Sequence, residues 1–178
     1  MCHKVKTDIP LTSDQDIPCI KVMLKVYDKG DDEHFTYRPV FCHDSDFTYE
    51  LGKVAVEPHP FKGVVWDMIE TGLHSFCPQV DGWKAVAKWA ETADPEENFG
   101  EFFDNNIKFE PVAVMCVIPK LTPYIYGESN CINAGADEMG YVSRELLPIQ
   151  EVAYEVWKDF DITGYVQKGE MERANRRK

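Results

Sequence analysis

Between Ile17 and Tyr27 the chain alternates. Ile20, Val22, Leu24 and Val26 recur at every second position, with Lys21 and Lys25 between them. That period predicts a strand with its aliphatic face buried and its lysine face in water. Asp28 to Asp32 is a turn signal. Phe35 to Cys42 is rich in aromatic and β-branched residues, and Pro39 within it predicts an edge strand or a bulge. Phe47 to Val56 reads as a further strand with Gly52 near its middle. Val64 to Glu70 fits a short helix or a strand, and Gly72 to Phe76 a short strand that stops before Pro78.

The period then changes. Trp83, Val86, Ala87 and Ala90 recur at helical spacing after a capping Asp81. Asp94-Pro-Glu-Glu97 has the cap, first-turn proline and acid of a second helix start, reaching about Phe103. From Ile107 to Ile118 both alternating rows are apolar, which predicts a central strand covered on both faces. Pro119 ends it. Tyr124–Tyr126, Tyr141–Ser143 and Leu146–Val152 read as short strands, and a short helix can follow Ala153. Strands on either side of a helical middle predict an α+β fold. The expectation is one domain over residues 1–178, a mostly antiparallel sheet with two or three short helices. Residues 1–16 read as an irregular lead-in and 168–178 as a basic tail.

Composition changes this picture little. Hydrophobic residues at 44% and charged residues at 28% of 178 exclude wholesale disorder. The formal net charge of −12 disfavours phosphate binding by the bulk of the chain and favours a protein partner with a basic face. The tail opposes this trend, with five bases against two acids. Six cysteines occur, but the N-terminus shows no apolar leader segment, and no run has the length of a membrane span. The reading is a reduced, cytoplasmic protein whose cysteines act as small hydrophobes.

Candidate chemistry is sparse. Cys42, His43, His74 and Cys77 have ligand-type side chains, but neighbours along a strand point to opposite faces, so no metal site is expected. Asp31-Asp32, Asp44/Asp46 and Glu96-Glu97 fit turns and caps better than a general acid/base pair. No phosphate loop or nucleophile elbow occurs. Trp83, Trp89, Tyr124 and Tyr126 read as core.

The pieces from 72 to 152 carry a resemblance. Gly72-Leu-His-Ser-Phe precedes the alanine-bearing helix. Val114-Met-Cys-Val-Ile-Pro-Lys, Tyr124 to Gly127 and Tyr141-Val-Ser143 follow. This order resembles a group of small uncharacterised proteins of phages and gut bacteria. It is also distantly similar to the ADP-ribosyltransferases, whose split sheet carries a Ser-Thr-Ser-like strand, a strand ending in Pro-Lys-Gly, and a strand with the catalytic Glu. That similarity implies Glu145 as a catalytic carboxylate, Ser75 and Lys21 at an NAD site, and NAD as cofactor. Lys25 and Arg38 are further substitutes for the family's NAD-holding Arg. The chain departs from the pattern: His74-Ser75-Phe76 replaces Ser-Thr-Ser, Leu121 replaces the Gly after Pro-Lys, and Ser143 replaces the first Glu or Gln.

Three functions follow as expectations. The first is a non-enzymatic, acidic interaction protein of phage type, without a cofactor, that binds a host or viral protein and inhibits a nucleic-acid-handling or defence system. The second is an NAD-dependent enzyme using Glu145. The third is a virion structural or cargo protein.

Overall fold

The computed structural model describes residues 3–5, 9–28, 30–31, 33–40, 47–59, 61, 68–69, 71–78, 83, 87, 108–129 and 139–157. They form a mostly antiparallel β-sheet. Its strands are β1 (His3–Val5), β2 (Ile17–Tyr27), β3 (Phe35–Pro39), β4 (Ala55–Val56), β5 (Met68–Ile69), β6 (Leu73–Phe76), β7 (Phe109–Ile118), β8 (Tyr124–Ser129), β9 (Met139–Ser143) and β10 (Glu145–Val152). One helical turn, α1 (Tyr154–Trp157), follows β10. Among the described residues no helix is long and apolar enough to cross a membrane.

The centre is β2 against β7, in register from Ile17↔Ile118 to Val26↔Phe109. This is where the two longest alternating segments of the sequence lie, and β10 covers the other edge of β7. The second edge of β2 is shared. Met23 to Tyr27 pair with β3, whereas Ile20 pairs with Phe76 of β6. The sheet therefore forks between Ile20 and Met23. Beyond β6 the order continues through β9, β8, β1 and β5.

The β6 arm of the fork returns to the β7 side of the sheet at a corner. Strand β9 passes into β10 through the single residue Arg144, although β9 pairs with β6 and β8 while β10 pairs with β7 and β4. A chain that changes neighbours in one residue bends the sheet around what it encloses. Gly72 opens β6 beside this corner with φ +121, and a Cβ there would lie 2.4 Å from Val142 Cγ1. Only glycine fits that conformation and that space.

Both faces of β2 are consequently covered. Ile20, Val22 and Leu24 join Val40, Phe76, Ala87 and Ala113, with Trp83 packed against them. On the opposite face Cys19 and Met23 join Tyr49, Leu73, Val112, Val114, Cys116, Ile118 and Leu146. The expected water-facing lysine face is thus corrected: Lys21 is only 6% exposed. Alternation marks which residues share a face, and the nonlocal curl of the sheet decides whether that face meets water.

Two further expectations change. Residues 47–56 do not form one strand: Tyr49 makes an isolated bridge to Tyr37, Gly52 turns the chain with φ +80, and only Ala55–Val56 pair with β10. Part of the lead-in is ordered by distant partners, since β1 pairs with β5 and β8, and Leu11 bridges to Tyr124. The second helix expected at 94–103, the metal candidates Cys42 and His43, Trp89 and the basic tail lie outside the described residues.

Candidate functional site

The fork creates a polar seam inside the curled sheet. Just beyond the single pair Ile20↔Phe76, the Lys21 ammonium donates to the His74 carbonyl at 2.6 Å. A side-chain bond spans the gap where the backbone ladder between β2 and β6 has stopped. The same ammonium lies 5.4 Å from the Tyr49 ring centroid, a distance at which the ring face attracts a cation. Burying a lysine is costly unless its donors are used, and both contacts offset that cost.

Ser75 is the neighbouring element of the seam. It is fully buried on β6 near the Cys19 thiol, and among the described residues its hydroxyl oxygen has no hydrogen-bond partner. Burial pushes the Cys19 thiol up to about 12, and the Ser75 hydroxyl and the nearby Lys21 oppose that rise. Across β6 and β9, Ser75 stands opposite Tyr141, which stands opposite Tyr126 of β8. The two tyrosine rings are 5.3 Å apart near the Cys77 sulfur, and Tyr126, expected in the core, is 39% exposed. Burial raises the Cys77 thiol, and the tyrosine hydroxyls partly oppose the rise. Burial also raises the phenol of Tyr141, as does the neighbouring Cys77 sulfur. Thiols held above their ordinary values are poor nucleophiles at neutral pH.

Glu145 lies at the corner rather than in the seam. Its carboxylate accepts a bond from Thr122 Oγ1 at 3.2 Å. The Ser143 hydroxyl donates to the backbone carbonyl of Glu145 at 2.9 Å, and the Arg144 amide donates to the Pro123 carbonyl at 3.1 Å. Ser143, in the place of the resemblance's first acid, stitches the one-residue passage from β9 to β10. The structure thus brings Lys21 and Ser75 to one seam around Cys19, and gives Glu145 a separate set of partners at the corner. Of the substitutes, Lys25 ion-pairs with Glu151 at 2.7 Å, and Arg38 lies on β3.

Leu121 is the residue where the resemblance has glycine. Its φ is +64, in the left-handed region, and its side chain is 68% exposed. Its amide donates to the Ser13 carbonyl at 2.7 Å, which holds the turn after β7 against the lead-in. The backbone there takes a conformation that favours glycine.

The same face of β2 ends differently. Tyr27, Phe35 and Tyr37 form a contiguous strip, with centroids 5.5 Å apart for Tyr27–Phe35 and 5.2 Å for Phe35–Tyr37. The Lys25 ammonium is 4.8 Å from the Phe35 centroid and Lys108 is 4.8 Å from that of Tyr27. Tyr27 donates to Glu110 and Tyr37 donates to Glu151. Asp28, Asp31 and Glu33 stand at the adjoining turn.

Sequence reasoning singled out Lys21 and Ser75 through a resemblance but passed over Cys77, Tyr126 and Tyr141 as members of the seam. Only the pairing register joins them, and no local pattern encodes that register. Among the described residues no group of three or more His, Cys, Asp or Glu is arranged to hold a metal ion. Comparison with protein families, curated proteins and solved structures finds no match to this chain.

Proposed function

We propose that this chain is an acidic binding protein, active in the cytoplasm, that docks a protein with a basic face through the Tyr27–Phe35–Tyr37 strip. The strip is the observation that carries the reading. Phe35 is exposed and Tyr27 and Tyr37 are half-buried beside it; such rings bury further area on binding, and arginine and lysine side chains stack on their faces. The carboxylates of Glu110 and Glu151 are already within reach of this strip. The net charge of −12 attracts a basic partner over longer range. The resemblance to small phage proteins suggests a nucleic-acid-handling or defence protein as that partner.

The interior contacts support the same reading. Lys21 bonds to the neighbouring strand β6, and Glu145 bonds to Thr122. These are uses of those two side chains in holding the fork and the corner. The test is capture of proteins by the wild-type chain and by a Tyr27→Ala/Phe35→Ala variant, each at low and at 300 mM salt. Basic proteins retained by the wild type at low salt, lost at high salt and lost in the variant are expected. Equal capture by both chains contradicts the strip as the docking surface.

A second reading is an ADP-ribosyltransferase-like enzyme binding NAD. The left-handed backbone at Leu121 and the convergence of Lys21 with Ser75 favour it. Calorimetric titration with NAD separates the readings. Heat that is lost in Ser75→Ala, with turnover lost in Glu145→Gln, would establish the enzyme.

A further inference from the structure

We propose that Cys19 and Cys116 constitute a latent covalent site, a cross-strand dithiol that closes to a disulfide across β2 and β7 when it meets a small-molecule disulfide. The two cysteines are direct register partners at the centre of the longest ladder in the fold. Directly opposed residues share a face, and their Cα atoms stand about 4.5–5.5 Å apart. A disulfide accepts a Cα separation of about 4.4–6.8 Å, so the bond needs no shift in register. Both thiols are free and fully buried in the same apolar cluster.

The burial makes the site latent. Cys116 is held well above the ordinary thiol range by burial and by the neighbouring Cys19 sulfur. Its Sγ donates to the carbonyl of Val114 on its own strand at 3.4 Å. Neither thiol ionises readily or meets solvent while the ladder is intact. Reaction therefore requires opening of β2 from β7, which is the most extensive pairing in the sheet.

The chemistry balances with oxidised glutathione. The Cys19 thiol loses a proton to solvent, and its thiolate attacks one glutathione sulfur. A glutathione thiolate leaves and takes up a proton. The Cys116 thiolate, formed in the same way, then attacks the Cys19 sulfur and expels the second glutathione. Two protein thiols are oxidised to one disulfide, and one glutathione disulfide is reduced to two thiols.

Among the described residues Cys77 is the competing partner, because its sulfur also influences Cys19. It lies past the end of β6 beside the Tyr141 and Tyr126 hydroxyls, and not opposite Cys19 in a ladder. The register therefore selects Cys116.

The test uses the full reduced chain, treated with oxidised glutathione in native buffer and in urea near the unfolding midpoint, then returned to buffer. Remaining thiols are blocked and peptides are mapped by non-reducing mass spectrometry. The Cys19–Cys116 peptide pair should form in urea and form at least tenfold more slowly in native buffer. The bond should raise Tm by about 10 °C, since it closes a loop of roughly 100 residues. Reduction should reverse the rise, Cys77→Ala should keep it, and Cys116→Ala should lack it. A Cys19–Cys77 link in its place, glutathione adducts on both cysteines, or a link without a Tm rise would each overturn the proposal, and the wild-type peptide map decides even if a variant folds poorly.

Discussion

Lys21 and Lys25 lie on the same face of the same strand, four residues apart, and share a sequence pattern. Lys21 is buried, bonds a backbone carbonyl and faces the Tyr49 ring. Lys25 pairs with Glu151 and covers the Phe35 ring, with 14% of its side chain exposed. The difference comes from what crosses the face of β2 at each level. At Lys21 the sheet has forked and curled back, so the Tyr49 ring lies over it on the face that packs Leu73 and Leu146 into the core. At Lys25 the partner is the β2–β3 hairpin, where Phe35 is 36% exposed and Tyr37 is half-buried against the core. One end of the face is sealed by the fold, and the other carries the Tyr27–Phe35–Tyr37 strip.

The largest expected effect breaks the sealed end. Lys21→Glu places a carboxylate against the His74 carbonyl in a buried seam and should cost about 4 kcal/mol in urea unfolding. The matching Lys25→Ala removes a partly exposed ion pair and a ring contact, and should cost about 1 kcal/mol. Equal costs would erase the distinction between the two lysines.

Gly72→Ala tests the corner that allows the curl. The added Cβ meets Val142 at 2.4 Å in a conformation suited only to glycine. A loss of about 3 kcal/mol in thermal or urea unfolding is expected. Leu121→Gly goes the other way. The left-handed φ costs a leucine about 1 kcal/mol, and glycine's greater freedom when unfolded offsets part of the gain. A net stabilisation of about 0.5 kcal/mol is expected, since the leucine side chain is mostly exposed.

The smallest effect sits at the tip of the open end. The Glu33 amide and the His34 ring hold the Asp31 carboxyl below the usual carboxylate range, and Asp31 raises His34. The aspartate's contribution is present above about pH 3.9 and is lost as pH falls through its lower folded value. The histidine's is complete below about pH 6.5 and is lost as pH rises through its higher folded value. The pair therefore acts fully only between about pH 4 and 6.5. An NMR titration should show the His34 midpoint returning toward its ordinary value in Asp31→Asn.

Local pattern made much of this sheet legible. Strand β2 lies where the alternation placed it, and β7 is central because both of its apolar rows need cover. What escaped was nonlocal. The fate of Lys21 depends on β6 leaving β2 after one pair, and nothing within Ile17 to Tyr27 encodes that. The tyrosines of the seam are joined by register across β6, β9 and β8. Phe47 to Val56 contains strand-forming residues, but Gly52 turns the chain between them. Of the three side chains suggested by resemblance, Lys21 and Ser75 meet in the seam, while Glu145 takes its own partners at the corner.

The contrast between the two lysines is most directly measured by acylating the native protein with an amine-reactive ester and following each lysine by mass spectrometry. Lys53, 71% exposed at its side chain, serves as the open reference. A sealed seam predicts that Lys21 reacts at least a hundredfold more slowly than Lys53 until the chain is unfolded. Reaction of Lys21 at a rate near that of Lys53 in the native protein would contradict the sealed seam and leave the NAD-pocket reading as the stronger one.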